Sequence, residues 1–463
     1  MGCTPFDYRT LRSEFSTHEM RKVWEEENLV QKWLAVEGIV AKVQGSMGII
    51  PQEAADEIYQ KASMRFVNLE KVGAKIKGSG HLIMGVIAAL QEEVGEGSAE
   101  YVHFGISSAD ILDTGFILAV LEAYQIIVRD TGELIHILSE LARTHKKTLM
   151  AGRTHGQHAN PITFGFKVAV WLSEMDRHLM RLRECRDRLL VGNISGAVGT
   201  QAAFWQKGKE LQERVLEALG LRVPSIVSHM LQRDRLAEFA QVLAMLSTSL
   251  GKMGHEVFTL QRPEIAEVEE PFQVGKQIGS SAMPHKRNPF RSEASWGMAR
   301  LVRVLALSVT ESQLMENEND ISLLSSTYIS IPLCCLLTSR LLHEFKFVLG
   351  NLKVDAARMR KNLNVTKGLS GSGPIMMKLA KIIGRKTAHD LIYALAMQAY
   401  QDGKDFGTLL LESKEVRKHL TPEEIQAALD PALNTGTAPD QVEAVLKELE
   451  SKRDAMNEEE FRK

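Results

Sequence analysis

Residues 236–260 constrain the fold more than any other stretch of the chain. Leu236, Phe239, Leu243, Leu246, Leu250, Met253, Val257 and Leu260 recur in steps of three and four, ending before Pro263. That spacing keeps apolar side chains on one side of a long helix. Beside them runs a second row with the same rhythm, Ala240, Ala244, Ser247, Gly251 and Gly254. One face is bulky and the adjoining face is small, and small faces let a neighbouring helix approach closely. A helix that wants partners on two sides belongs in the middle of a bundle. The core of that bundle is either complete within one chain or shared between subunits.

A second long helix follows from Thr114, Ile117, Leu121, Tyr124, Val128, Thr131, Ile135, Leu138 and Ala142, which alternate in the same way with no proline among them. Ser107 or Ser108 caps its start and leaves hydroxyls at a helix N-terminus, a place that favours anions. Apolar stretches at 166–190, 296–310 and 328–350 add further long helices. Residues 1–105 read as short helices, with a stripe at Trp24, Leu29, Trp33 and Val36–Glu37 and a helix opened by Pro51 with Glu53. Lys77-Gly78-Ser79-Gly80-His81 reads as a flexible approach to a histidine. After residue 351 shorter helical stretches alternate with turns; Thr421 and Glu424 have capping-box spacing, and the chain ends in a charged, frayed tail. The expected fold is all-α in three parts: an N-terminal helical domain (1–105), a central long-helix bundle (106–350) and a small C-terminal helical domain (351–463).

Charge narrows the partners. The 463 residues carry 56 Lys+Arg against 58 Asp+Glu, a net charge of −2, so nothing at this level suggests nucleic acid or a membrane surface. Cys3, Cys185, Cys334 and Cys335 show neither disulfide nor metal-ligand spacing; Cys334 and Cys335 sit in an apolar run and read as small core residues. A reducing, cytoplasmic compartment fits. No apolar run is expected to reach membrane-spanning length. Met1–Phe6 reads as no secretory signal, and Phe6 breaks the myristoylation pattern.

The chemistry is concentrated in Gly279-Ser280-Ser281-Ala282-Met283-Pro284-His285-Lys286-Arg287-Asn288-Pro289. A glycine and two serines give a mobile loop with two hydroxyls, and two prolines restrict the backbone on either side of a cation and an amide. Lys286 can hold a carboxylate as a point charge, and Asn288 can donate to a second oxygen. Such a loop suits an anionic substrate whose negative charge grows during reaction. A loop rich in Ser, Pro and Gly is most often a plain surface turn. Eleven residues of mixed type in this order are too specific for that reading.

This loop resembles the signature of the fumarase/aspartase superfamily: Gly-Ser-Ser, any residue, Met-Pro, any residue, Lys, any residue, Asn-Pro. Gly152-Arg153-Thr154-His155-Gly156-Gln157-His158-Ala159-Asn160-Pro161 is similar to the second motif of its adenylosuccinate lyase branch, with Asn160 where a glutamate is usual. Gly192–Gly199 resembles a glycine-rich family segment, with Asn193 in place of lysine. Gln232–Arg235, Glu267–Pro271 and Thr366–Leu369 match as well, and the region around Thr366 is shared with bacterial carboxymuconate cycloisomerases.

The resemblance implies an all-α, three-domain fold whose long-helix bundle is shared in a homotetramer, with sites built by several subunits and no cofactor. It implies β-elimination releasing fumarate from a succinyl-amine substrate through an aci-carboxylate dianion. Ser280 then matches the base, His155 the acid that protonates the leaving group, and Glu293 the carboxylate paired with it. Lys286 and Asn288 match the residues that hold the carboxylate. His81 and His103 match further site histidines; Ser107, Ser108, Thr154 and Ser281 match substrate-binding hydroxyls, and Met283 of the same loop counts among the substrate-binding residues. Residue by residue, Ser107 and Ser108 also read as helix caps and His81 as a surface residue. A metal held by these histidines has no ligand-like spacing.

The departures cluster on the nucleotide side. Family members hold the AMP phosphate with Arg-Tyr-Ser, where this chain has Glu14-Phe15-Ser16. A Trp-His-Glu-Arg-Asp-Ile-Ser run becomes Glu316–Ser322, with Asn319 in place of arginine, and Ser325-Ser326-Thr327-Tyr328 lacks a further arginine. His229 stands for a glutamine. Carboxymuconate lactonisation, a non-nucleotide succinyl-amine and a non-catalytic structural homologue are the other readings.

Overall fold

The structure, a computed structural model, describes residues 3–460, with side chains as far as Lys452. Met1, Gly2 and the end of the charged tail lie outside that range. The described residues form two compact units. Of the described residues, the first comprises 3–132, 178–250 and 297–343; the second comprises 133–177, 251–296 and 344–460.

Five long helices lie between residues 108 and 350: α1 Ser108–Thr144, α2 Phe164–Leu189, α3 Asp234–Leu260, α4 Phe290–Glu311 and α5 Ser322–Gly350. In α3 all eight residues of the bulky row and all five of the small row are buried. Each large aliphatic side chain so buried contributes about 1.5–3 kcal/mol. The small row works as expected. In the first unit Ser247 pairs its hydroxyl with Thr338 of α5 at 3.0 Å. In the second, a Cβ on Gly254 would meet the Ser292 carbonyl of α4 at 2.6 Å.

The row read from α1 marks only an edge of its buried face. Leu121, Val128 and Ile135 stay half-exposed, whereas Phe116, Val120, Ile127 and Leu134 are buried. α1 is enclosed on more than one side, so a single row understates its contacts. This also corrects the membrane expectation. α1 and α5 are both long and apolar enough to span a bilayer by composition, but 67% and 56% of their most apolar windows are buried inside the protein. They are core helices. Cys185, Cys334 and Cys335 are buried and free, and burial pushes the Cys185 and Cys334 thiols up to about 12.

Residues 12–99 form seven helices, among them Leu69–Ser79 and Leu82–Gln91. The stretch expected to be a flexible approach is a tight corner: Gly80 (φ 68) closes the first of these helices and His81 caps the second. The C-terminal stretch has its own core, with Ile375, Leu379, Phe406, Leu410, Val416 and Ile425 buried. Its Thr421–Glu424 capping box is present. Two short antiparallel pairings occur, β1 Leu149–Thr154 with β2 Gln157–Thr163 and β3 Val268–Glu269 with β4 Lys353–Val354. The first of them positions a candidate catalytic residue.

Candidate active site

In the second unit, β1 and β2 form a hairpin whose tip is His155-Gly156. Both tip residues have positive φ, 52° and 75°, as a two-residue type I′ turn requires. The turn lifts Thr154 and His155 into solvent on rigid strands. At Gly152 a Cβ would meet the Asn160 carbonyl at 2.6 Å, so the register irregularity there needs glycine. Arg153 anchors the hairpin with a two-pronged ion pair to fully buried Glu267, at 2.9 and 2.5 Å. Asn362 donates to the same carboxylate at 2.8 Å.

Glu267 begins a short hub. Two residues on, Glu269 holds Arg287 at 2.6 Å, and Arg287 lies over the Phe272 ring. Next, Glu270 accepts the N–H groups of Arg291 and Ser292, each at 3.1 Å, and so caps α4. Burial raises the Glu270 carboxyl above its ordinary value, with those N–H groups opposing the rise. Three consecutive contacts thus fix the hairpin, the root of the 279–289 loop and the helix bearing Glu293. Asn288 closes the loop by donating to the Gly279 carbonyl at 3.0 Å, while a Cβ on Gly279 would meet the Lys286 carbonyl at 2.2 Å. The Ser280 hydroxyl accepts N–H groups from Met283 at 3.1 Å and Ala282 at 3.4 Å. Ser281, Met283 and Lys286 are exposed, and Lys286 has no acidic partner among the described residues. Glu293 is exposed in the first turn of α4. Among the described residues no hydrogen bond or ion pair joins it to His155.

The first unit holds the remaining candidates. His103, also at positive φ (63°), places Nδ1 at 2.6 Å from the Glu37 carboxylate, which is 2% exposed. Burial alone would lower the His103 pKa; the Glu37 charge and hydrogen bond outweigh it, and the net shift is upward. His81 is exposed, and its Nδ1 accepts the Met84 N–H at 3.3 Å. Ser107 is a helix cap: its hydroxyl accepts the Asp110 N–H at 3.3 Å, and Asp110 accepts the Ser107 N–H at 2.8 Å. Ser108 has a half-exposed hydroxyl with no partner among the described residues.

Asp110 was not singled out from the sequence, and Glu37 was read only as part of a helical stripe. The available signal was a charge inside an apolar stripe in each case. Asp110 also accepts the N–H groups of Ser195 and Gly196, at 2.8 and 3.0 Å, and so ties the glycine-rich 192–199 segment to the start of α1. Burial raises its carboxyl to about 6 against the opposing pull of these N–H donors. The folded value lies above the unfolded one, so its contribution to stability is full below about pH 4 and is lost as pH rises through about 6. A carboxyl-carbon NMR titration should show one aspartate with its midpoint near 6 that disappears in Asp110→Asn. A midpoint near 4 for Asp110 would contradict this.

Residues 12–304 match the family described as Lyase, and residues 368–445 match the one described as Adenylosuccinate lyase C-terminus. An adenylosuccinate lyase of Methanocaldococcus jannaschii is 42% identical over 98% of this chain and 97% of its own. An N-acetyl-S-(2-succino)cysteine lyase of Dickeya dadantii is 41% identical over 95% and 96%. Among solved structures, a 3-carboxy-cis,cis-muconate lactonizing enzyme from Pseudomonas putida superposes with a TM-score of 0.88 at 33% identity, covering 95% of this chain and 99% of its own. A fumarate lyase from Mesorhizobium sp. BNC1 gives 0.87 at 34%, covering 94% and 98%. With matches spanning nearly its whole length, the chain belongs to the lyases of the fumarase/aspartase superfamily, in the adenylosuccinate lyase-like branch.

Proposed function

We propose that the chain releases fumarate by β-elimination from a non-nucleotide succinyl-amine. The observation that carries this reading is the 279–289 loop, where two backbone N–H groups already point at the Ser280 oxygen and Lys286 of the same loop is exposed, with no acidic partner among the described residues. Serine is too weak a base unless its alkoxide is stabilised, and N–H donors with a nearby cation do that. Ser280 Oγ takes the proton from the carbon beside a carboxylate. The C–H electron pair moves into that carboxylate, and Lys286 and Asn288 hold the resulting dianion. The pair returns to form the carbon–carbon double bond as the C–N bond breaks, and His155, which Glu293 joins only in the assembled homotetramer, protonates the departing nitrogen. Thr154, Ser281, Met283, Ser108, His81 and His103 line the substrate, while Ser107 contributes from its capping position.

AMP is disfavoured as the amine. A phosphate needs cations or N–H donors, and exposed Glu14 opposes one where the family has arginine. The site is assembled in a homotetramer in this proposal. Leu301, Val304 and Leu307, three apolar side chains within two turns of α4, are 42%, 66% and 59% exposed, as a face awaiting another copy would be. The three-part division at 105 and 350 and a cytoplasmic location belong to the same proposal.

The test is an absorbance screen for fumarate release from adenylosuccinate, argininosuccinate, aspartate, other N-succinyl amines and an S-succinyl thiol. A lactonisation arm uses carboxymuconate, because a muconate enzyme superposes so closely. Turnover of adenylosuccinate at micromolar concentration would remove the non-nucleotide assignment. His155→Gln separates the leaving groups. A thiol with pKa about 8.5 departs as thiolate without an acid, whereas an amine needs the proton. The substitution should slow amine release by about 10²- to 10⁴-fold and thiol release far less.

A further inference from the structure

A cavity of about 620 Å³ opens in the second unit, lined by Lys147, Thr148, Thr163, Arg360 and Thr435 among others, with no acid in its lining. Nothing in the proposed chemistry uses these residues. Neither Lys147 nor Arg360 has an acidic partner among the described residues. Their basic neighbours do have partners: Arg143 holds Glu450 at 2.8 Å and Lys146 holds Glu443 at 3.0 Å, while Arg358 donates to the Ile265 and Glu264 carbonyls at 3.0 Å. Asp355, next to the cavity, is occupied in capping α6 (Ala356–Leu363), where it accepts the Arg358 N–H at 2.8 Å. Ala356 and Ala357 line the cavity in the first turn of α6, where backbone N–H groups have no helical acceptor. The Thr435 hydroxyl has no partner among the described residues either. The wall therefore offers two cations without an ion-pair partner among the described residues, first-turn N–H groups and a hydroxyl.

We propose that this cavity binds a phosphate-bearing small molecule. Two cations and several neutral donors match a doubly charged group with several acceptor oxygens. The volume lies within the range of about 300–1,000 Å³ usual for small-molecule pockets, so it has room for an organic portion. The location gives such a ligand a route to the hairpin. Leu149 and Thr163, both lining residues, are the register pair at the open end of β1 and β2, whose other end is His155. The site is independent of the substrate assigned above.

Calorimetric titrations of the full chain with inorganic phosphate, ribose 5-phosphate and succinate test the proposal, using wild type and the double variant Lys147→Glu/Arg360→Glu. Both side chains are exposed, so the variant should keep its melting temperature and its lyase rate. Saturable binding of either phosphate probe to wild type, weakened at least about tenfold in the variant, is expected. Tighter binding of the ester identifies an organic phosphate as the ligand, and equal binding identifies free phosphate. Succinate, which enters through the elimination site, should bind both proteins alike. Equal phosphate binding by wild type and variant, or no saturable phosphate binding to wild type, overturns the proposal. Neither result bears on fumarate release.

Discussion

Ser280→Ala should lower kcat by about 10²- to 10⁴-fold while leaving KM within a small factor, the range usual for losing a positioned proton acceptor. The structure makes this a clean experiment. The Ser280 side chain is half-buried in a loop, and the two N–H groups it accepts come from residues that are themselves exposed. Losing those contacts leaves N–H groups that water can satisfy, so the melting temperature should hardly move. A large loss of rate with no loss of stability is the signature of a group acting on the reacting atoms. Lys286→Met offers the comparison. Removing one charge-stabilising donor typically costs about 10²- to 10³-fold in kcat. If Ser280→Ala retains full activity on a substrate that wild type turns over, the base is some other residue and the proposed proton path is wrong.

Helical rows were legible because they are local. The bulky and small rows of α3 place all thirteen of their residues in the core, and Thr421 with Glu424 forms the capping box its spacing announces. The hairpin was hidden for a physical reason. In β1, Met150, Ala151 and Gly152 are all buried, so the strand lacks the alternation that marks a half-exposed strand. Pro161 in β2 further weakens the pattern. The turn itself, a histidine before a glycine, is an uncommon version of the usual Asn-Gly signal.

The motif residues stand out in the sequence, but the contacts that support them do not. Glu267, Glu269 and Glu270 stand together in sequence yet take three different partners: Arg153, 114 positions away, Arg287, 18 away, and the start of α4. No local spacing encodes those choices; tertiary contacts make them. The Glu37–His103 pair, 66 positions apart, was equally invisible, although a glutamate within an apolar stripe should have prompted a search for its partner.

The largest effect on stability should come from breaking the anchor beneath His155, and its two halves should respond unequally. Glu267 is fully buried, whereas the Arg153 side chain is 17% exposed. Arg153→Leu strands a carboxylate in the interior with Asn362 as its remaining side-chain donor, and uncompensated buried charges of this kind cost about 3–5 kcal/mol. Glu267→Gln instead keeps a carbonyl acceptor for Arg153 or Asn362 and leaves a guanidinium that can turn toward water, so the cost should be nearer that of a lost charged hydrogen bond, about 1.5–3 kcal/mol. Denaturant unfolding of both variants at pH 7 measures the difference. Activity should follow the same order, because loosening Arg153 frees the strand that holds Thr154 and His155 in their turn. Should Glu267→Gln prove the more damaging of the two, the buried carboxylate is not the costly member of the pair. The hairpin would then be held chiefly by its backbone ladder.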